Sequence, residues 1–164
     1  MRNKKLIPIL GFVVVLGVGA FVFVQGTRHF SSQDGEGSGE QILLEEDSLQ
    51  VSLDALGENV LFVDYSGETD MQIMLYQDQK GTIHGALNTC QVCNGSPYAY
   101  FEQEGDDVVC QNCGNHFALQ DLGVVRGGCN PVPLEFTQDD GKVKIETDYL
   151  DQNAYRFVNW KQGV

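Results

Sequence analysis

A small all-β domain with two cysteine knuckles, preceded by one N-terminal transmembrane helix, is the architecture this sequence predicts. Three observations predict it. Residues 6–24 form an uncharged apolar run. From about Ile42 onward, short runs rich in Val, Ile, Tyr and Phe alternate with Gly- and Asp-containing turn signals, and no long helical period appears. Two C-x-x-C pairs, Cys90–Cys93 and Cys110–Cys113, sit between those runs.

The first element is the apolar run. Met1 to Lys5 is basic through Arg2, Lys4 and Lys5, and Leu6 to Val24 carries no charge. As a helix that run reaches roughly 28 Å, enough to cross a bilayer core. It is longer than the apolar region of a cleaved signal peptide, no A-x-A site follows it, and no cysteine near its end could take a lipid. A retained anchor is therefore expected. The positive-inside rule places residues 1–5 in the cytoplasm and the rest of the chain outside the cytoplasmic membrane, as a single-pass protein. Residues 25–41 are rich in Gly, Ser and acid, too polar to fold alone, and read as a flexible tether. Residues 42–164 remain as one extracytoplasmic metal-binding β domain, long enough for a single small core.

Charge narrows the partners. The chain carries a formal net charge of −13, and most of its few cations lie outside any basic cluster. Such a balance argues against nucleic acid and against adhesion to anionic lipid. The acidic trio Glu45, Glu46 and Asp47 reads as a solvated segment.

Within the domain, Val60 to Tyr65 and Met71 to Tyr76 read as strands, each closed by a turn signal. Ile83 to Leu87 leads into the first knuckle. Tyr98 to Phe101, the turn Glu104-Gly105-Asp106 and Val108-Val109 predict a hairpin that delivers the second knuckle. Val132 to Phe136, the turn Asp139-Asp140-Gly141 and Lys142 to Thr147 predict another hairpin, in which Val143, Ile145 and Thr147 alternate with Lys142, Lys144 and Glu146. Tyr155 to Val158 is expected as a last strand.

The cysteines carry the chemistry. A C-x-x-C pair turns two thiolates toward one point, and two pairs can gather four sulfurs. The spacing C-x2-C-x16-C-x2-C matches a zinc ribbon, so a structural four-cysteine zinc site is one reading. A ribbon of that kind is uncommon outside the cytoplasm, and it leaves Cys129 unexplained. A disulfide within either pair would close a tiny loop and gain little.

The residues around the second knuckle are more specific. Cys110-Gln111-Asn112-Cys113-Gly114-Asn115-His116-Phe117, followed by Gly123 and Pro131-Val132-Pro133-Leu134, resembles the second cluster-binding loop of Rieske-type domains. Cys113 stands where that loop carries a ligand His. The first knuckle departs from the Rieske C-x-H pattern. Across nearly the whole domain, the order Leu87-Asn88 before Cys90–Cys93, an aromatic hairpin, Cys110 to Phe117, and Gly127-Gly128-Cys129-Asn130-Pro131-Val132-Pro133-Leu134 resembles the FtrD-like family of membrane iron–sulfur-containing proteins. That resemblance implies a component of bacterial iron uptake with iron-transport or redox partners in the membrane, and an electron carrier rather than an enzyme with its own substrate. A [2Fe–2S] cluster on Cys90, Cys93, Cys110 and Cys113 is the cofactor it favours. By the Rieske-like order, Cys90 and Cys110 would share one iron and Cys93 and Cys113 the other. Thiolates in place of imidazoles would lower the potential toward about −400 mV. Cys129 would lie in the covering loop, as a candidate fifth metal ligand or a redox-switch thiol.

Two other readings use the same residues. Cys90, Cys93, Cys110 and Cys113 could hold zinc or Cu(I) without electron transfer. One C-x-x-C could serve as a thiol–disulfide oxidoreductase, although neither opens a helix that would lower a thiol pKa. His84 and His116 are candidate ligands or proton carriers whose simpler reading is ordinary packing or exposure, and His29 falls in the tether. Tyr98, Tyr100 and Phe101 either shield the site or fill the β core. Trp160 carries no functional signal in the sequence.

Overall fold

The computed structural model describes residues 41–164. In chain order the elements are β1 (Ile42–Leu44), β2 (Ser48–Ser52), β3 (Leu61–Ser66), β4 (Asp70–Gln77), β5 (Ile83–Cys90), β6 (Phe101–Glu104), β7 (Asp107–Cys110), β8 (His116–Ala118), β9 (Pro131–Pro133), β10 (Thr137–Asp139), β11 (Lys142–Glu146) and α1 (Thr147–Asn153). Short 3-10 turns follow β2, β8 and α1. The described residues are thus mostly β, as expected. Among them no helix is long and apolar enough to cross a membrane. The predicted anchor at 6–24, the basic start at 1–5 and all but residue 41 of the tether lie outside the described residues.

Three sheets build the domain: β1-β2-β11-β10, β3-β4-β5-β9 and β6-β7-β8. The second sheet is the middle layer. One of its faces packs Val63, Tyr65, Ile73, Leu75 and Leu87 against Leu49, Val51, Val143 and Ile145 of the first sheet. Its other face packs Met74, Ala86 and Cys90 against Phe101, Val108, Cys110 and Phe117 of the third. Side chains alternate along a strand, so neighbours such as Ile73 and Met74 serve opposite cores. With both faces covered, every residue of β5 is buried.

That middle strand positions the site. Ala86, Asn88 and Cys90 share a parity that turns them toward the third sheet. β5 pairs with β9 at Ala86–Pro133, Leu87–Val132 and Cys90–Pro131, with the register shifting between Leu87 and Cys90. This bulge leaves Asn88 and Thr89 without β9 partners, and bulges re-aim side chains beside functional sites. Asn88 uses that freedom. Its Oδ1 accepts from Phe101 N–H at 2.7 Å and its Nδ2 donates to Phe101 C=O at 3.2 Å. The side chain thereby stands in for a backbone partner and ties β6 to β5.

Three expectations are corrected. Tyr155 to Val158 is not a strand: α1 is followed by a 3-10 turn over Ala154–Phe157. The buried residues there are Leu150, Ala154 and Phe157, spaced four and three apart, which is a helical period read over too short a window to notice. Second, Val132 to Phe136 is not the arm of the last hairpin. Thr137–Asp139 pairs with Lys142–Lys144 instead, and Pro131–Pro133 joins β5, where prolines without N–H suit the edge of a sheet. Third, Thr147 opens α1 rather than closing β11. The hairpin before the second knuckle is present, with Phe101–Glu104 as its first arm and Phe101 opposite Cys110.

Candidate metal centre

Each knuckle is a strand end that turns back on itself. Cys90 closes β5 and Cys110 closes β7. In both, the residue four places on donates to the first cysteine's carbonyl: Asn94 N–H to Cys90 O at 3.0 Å and Gly114 N–H to Cys110 O at 2.8 Å. Gly114 has φ +69, a left-handed conformation that glycine adopts without strain. The turn leaves N–H groups aimed at sulfur. Cys93 N–H donates to Cys90 Sγ at 3.4 Å, and Val92 N–H points the same way. Asn112 and Cys113 N–H do the same for Cys110, and Asn115 N–H for Cys113.

All five cysteines are free thiols. Their sulfurs converge in two groups, within each of which all lie within 4.8 Å of one another: Cys90, Cys93 and Cys129, and Cys93, Cys110 and Cys113. Cys93 belongs to both. No group of four meets that distance among the described residues. A single tetrahedral zinc with Zn–S near 2.3 Å needs every sulfur pair at about 3.8 Å, so one ion cannot engage all four knuckle sulfurs as they stand. Cys90 and Cys110 fall in different groups.

Burial grades the thiols. Cys90 and Cys110 are buried, Cys93 and Cys129 half-buried, and Cys113 exposed. Beneath them Phe101, Phe117, Leu119 and Leu122 form an apolar floor. Burial pushes the Cys90 and Cys110 thiols up, against the pull of the knuckle N–H groups. Cys113 is held below the ordinary thiol value, first by the Asn115 N–H and then by the thiols of Cys110, Cys93 and Cys129, with burial opposing. No helix is involved, in keeping with the sequence.

Polar side chains fasten the three loops together. Gln91 N–H donates to Asn130 O at 2.9 Å, Gln91 Nε2 donates to Pro131 O at 2.9 Å, and Gly127 N–H donates to Gln91 Oε1 at 3.1 Å. Asn115 Nδ2 donates to Cys129 O at 3.3 Å, and Asn130 Nδ2 donates to Gly127 O. Ser96 Oγ bonds Asn112 Oδ1 at 2.7 Å and so joins the knuckles directly. The C-terminal segment braces the first knuckle from behind. Trp160 Nε1 donates to Asn88 O at 2.7 Å, Asn159 Nδ2 to Gly95 O at 3.0 Å and Lys161 N–H to Pro97 O at 2.9 Å. Lys161 Nζ lies 4.7 Å from the centroids of both the Tyr100 and Trp160 rings. Nothing in the sequence marks Gln91, Asn115 or Trp160 for this role, because their partners are backbone atoms distant along the chain.

The remaining candidates separate. His116 is outside both sulfur groups, 58% exposed, with Nδ1 3.2 Å from Asp107 Oδ2. His84 is buried six residues back along β5, about 20 Å from Cys90 by strand rise, against the Tyr76 ring and 3.5 Å from Asp78 Oδ2. Phe101 packs under the sulfurs, Tyr100 packs on Trp160, and Tyr98 is exposed. Glu45, Glu46 and Asp47 lie in the exposed β1–β2 turn.

Comparison with known families decides the relationship. The family described as membrane iron-sulfur containing protein FtrD-like matches residues 57–157, more than half of the chain. The chain belongs to this FtrD-like family. The matched span covers both knuckles and Cys129, so every residue of the two sulfur groups lies inside it. Trp160 and Lys161 of the C-terminal brace lie beyond it. The match concerns the FtrD-like family and not Rieske domains. No curated protein and no solved structure matches the chain.

Proposed function

We propose that this chain is a membrane-anchored, extracytoplasmic electron carrier of iron uptake, holding a [2Fe–2S] cluster on Cys90, Cys93, Cys110 and Cys113. The observation that carries the reading is the convergence of free, half-sheltered thiols into two sulfur groups sharing Cys93. An elongated sulfur set suits a centre with two nuclei better than a single tetrahedral ion. Membership of a family described as membrane iron–sulfur-containing supports the cofactor class. The knuckle after β5, the knuckle after β7 and the proline segment entering β9 support a Rieske-like arrangement of loops around it.

When bound, such a cluster supplies one-electron redox chemistry. The protein's own residues set its conditions. Knuckle N–H groups aimed at Cys90, Cys110 and Cys113 stabilise negative charge on sulfur and raise the potential. The floor of Phe101, Phe117 and Leu122 keeps water from one side. Cys113, exposed at the rim, marks the side from which an electron partner approaches. The test is anaerobic reconstitution of the full chain in detergent with iron and sulfide. The reading predicts visible charge-transfer absorption that a one-electron reductant bleaches and an oxidant restores. A colourless protein contradicts it. Each three-sulfur group also suits soft Cu(I), and copper binding without sulfide would move the reading there.

A further inference from the structure

Cys129 is more than a residue of a covering loop. Its sulfur lies within 4.8 Å of both Cys90 and Cys93. It therefore joins the sulfurs of the first knuckle. Its loop is fastened to both knuckles, through Gln91 to Gly127 and Pro131 on one side and through Asn115 to the Cys129 carbonyl on the other. Gly127 and Gly128 precede it with φ +86 and +75, left-handed turns that swing the chain toward the sulfurs. A loop that only covered the site could place any small apolar residue here and would need no grip on either knuckle. Five thiols directed at one region, none of them joined in a disulfide, repel one another once ionised unless a cation lies among them.

We propose that Cys129 is a fifth metal-site thiolate, which ligates on the Cys90–Cys93 side and maintains four-thiolate coordination when the exposed Cys113 is lost. This rests on the metal-centre reading above and deepens it. Exchange of one thiolate for the other is neutral in charge and redox state: the entering thiol gives up one proton and the departing thiolate takes one. Cys93, common to both sulfur groups, has no such substitute, and neither has the buried Cys110.

The experiment compares the reconstituted full chain with C113S, C93S and the double variant C113S/C129S, by iron and acid-labile sulfide per chain. The expected result is that C113S keeps iron and sulfide, whereas C93S and the double variant lose both. Equal loss from C113S and the double variant overturns the proposal. Alkylation of the thiols of metal-loaded C113S, whose substitution is at an exposed position and whose fold is checked by circular dichroism, is read by mass spectrometry. Ligation makes Cys129 alkylate about tenfold or more slowly with metal bound than after chelation, and equal rates overturn the proposal. A parent that binds no metal overturns the underlying reading and this inference with it. A parent that loads, but whose C113S variant loses its metal or leaves Cys129 equally reactive, overturns this inference alone.

Discussion

Cys90 and Cys110 are the residues on which the centre depends most, because they are the two fully buried thiols and each ends a core strand. Replacing either with serine puts a harder ligand on the buried side of the site, and iron content after reconstitution should fall to background by metal analysis. Their burial also fixes a pH dependence of the metal-free protein. The thiol pKa values are raised in the folded state by burial, from an ordinary 9.0. Folding therefore favours the protonated thiols. That stability is complete below pH 9.0 and is lost as pH rises further, when unfolded thiols ionise and buried ones do not. Thermal unfolding of the metal-free protein should show a falling Tm above that pH, and a Tm that rises there would contradict the assignment. Gln91 makes a separate point: Gln91→Leu removes the side chain's grip on Gly127 and Pro131. Cys129 of the metal-free variant should then alkylate faster than in the parent, with the fold intact by circular dichroism.

At the scale of elements, the junction of β5 and β6 holds the first knuckle in place. Asn88 exchanges two hydrogen bonds with the Phe101 backbone and a third, from its Nδ2, with Gln72 Oε1 at 2.7 Å. Asn88→Ala leaves buried backbone groups unpaired, so urea unfolding should show a loss of about 1–3 kcal/mol. Phe101→Ala, at the floor of the site, should cost about 3–5 kcal/mol. The sequence displayed much of this layer. Alternation in Met71–Tyr76 and Lys142–Glu146, and the Gly105 turn before the second knuckle, are local patterns, and those strands and that hairpin are present. What misled was also local. Pro131–Pro133 looks like the start of a hairpin but pairs with β5 over forty residues away, and no local signal marks such a partner. The helical spacing of Leu150, Ala154 and Phe157 spans only two turns. The site followed the same division: the C-x-x-C pairs were legible from spacing alone, whereas the sharing of Cys93 between two sulfur groups depends on the β5 bulge and the loop fastening, which exist only in the folded chain.

At the scale of the molecule, one middle sheet serves two cores with different tasks. The core shared with β2 and β11 is aliphatic and aromatic and contains no cysteine. The core shared with β6, β7 and β8 ends in the sulfurs. Stability and metal chemistry are thereby placed on opposite faces of the same strands, and the metal-free protein should keep the first core folded while the knuckle loops loosen. Gly123 marks the contact between the loop bearing Cys129 and the middle sheet, since a Cβ there would run into the Gly85 carbonyl. The centre itself is tested most directly by counting iron and acid-labile sulfide in the anaerobically reconstituted full chain, with an EPR spectrum after reduction. A [2Fe–2S] centre predicts about two irons and two sulfides per chain and a paramagnetic reduced state. One zinc per chain, no sulfide and no EPR signal would contradict it.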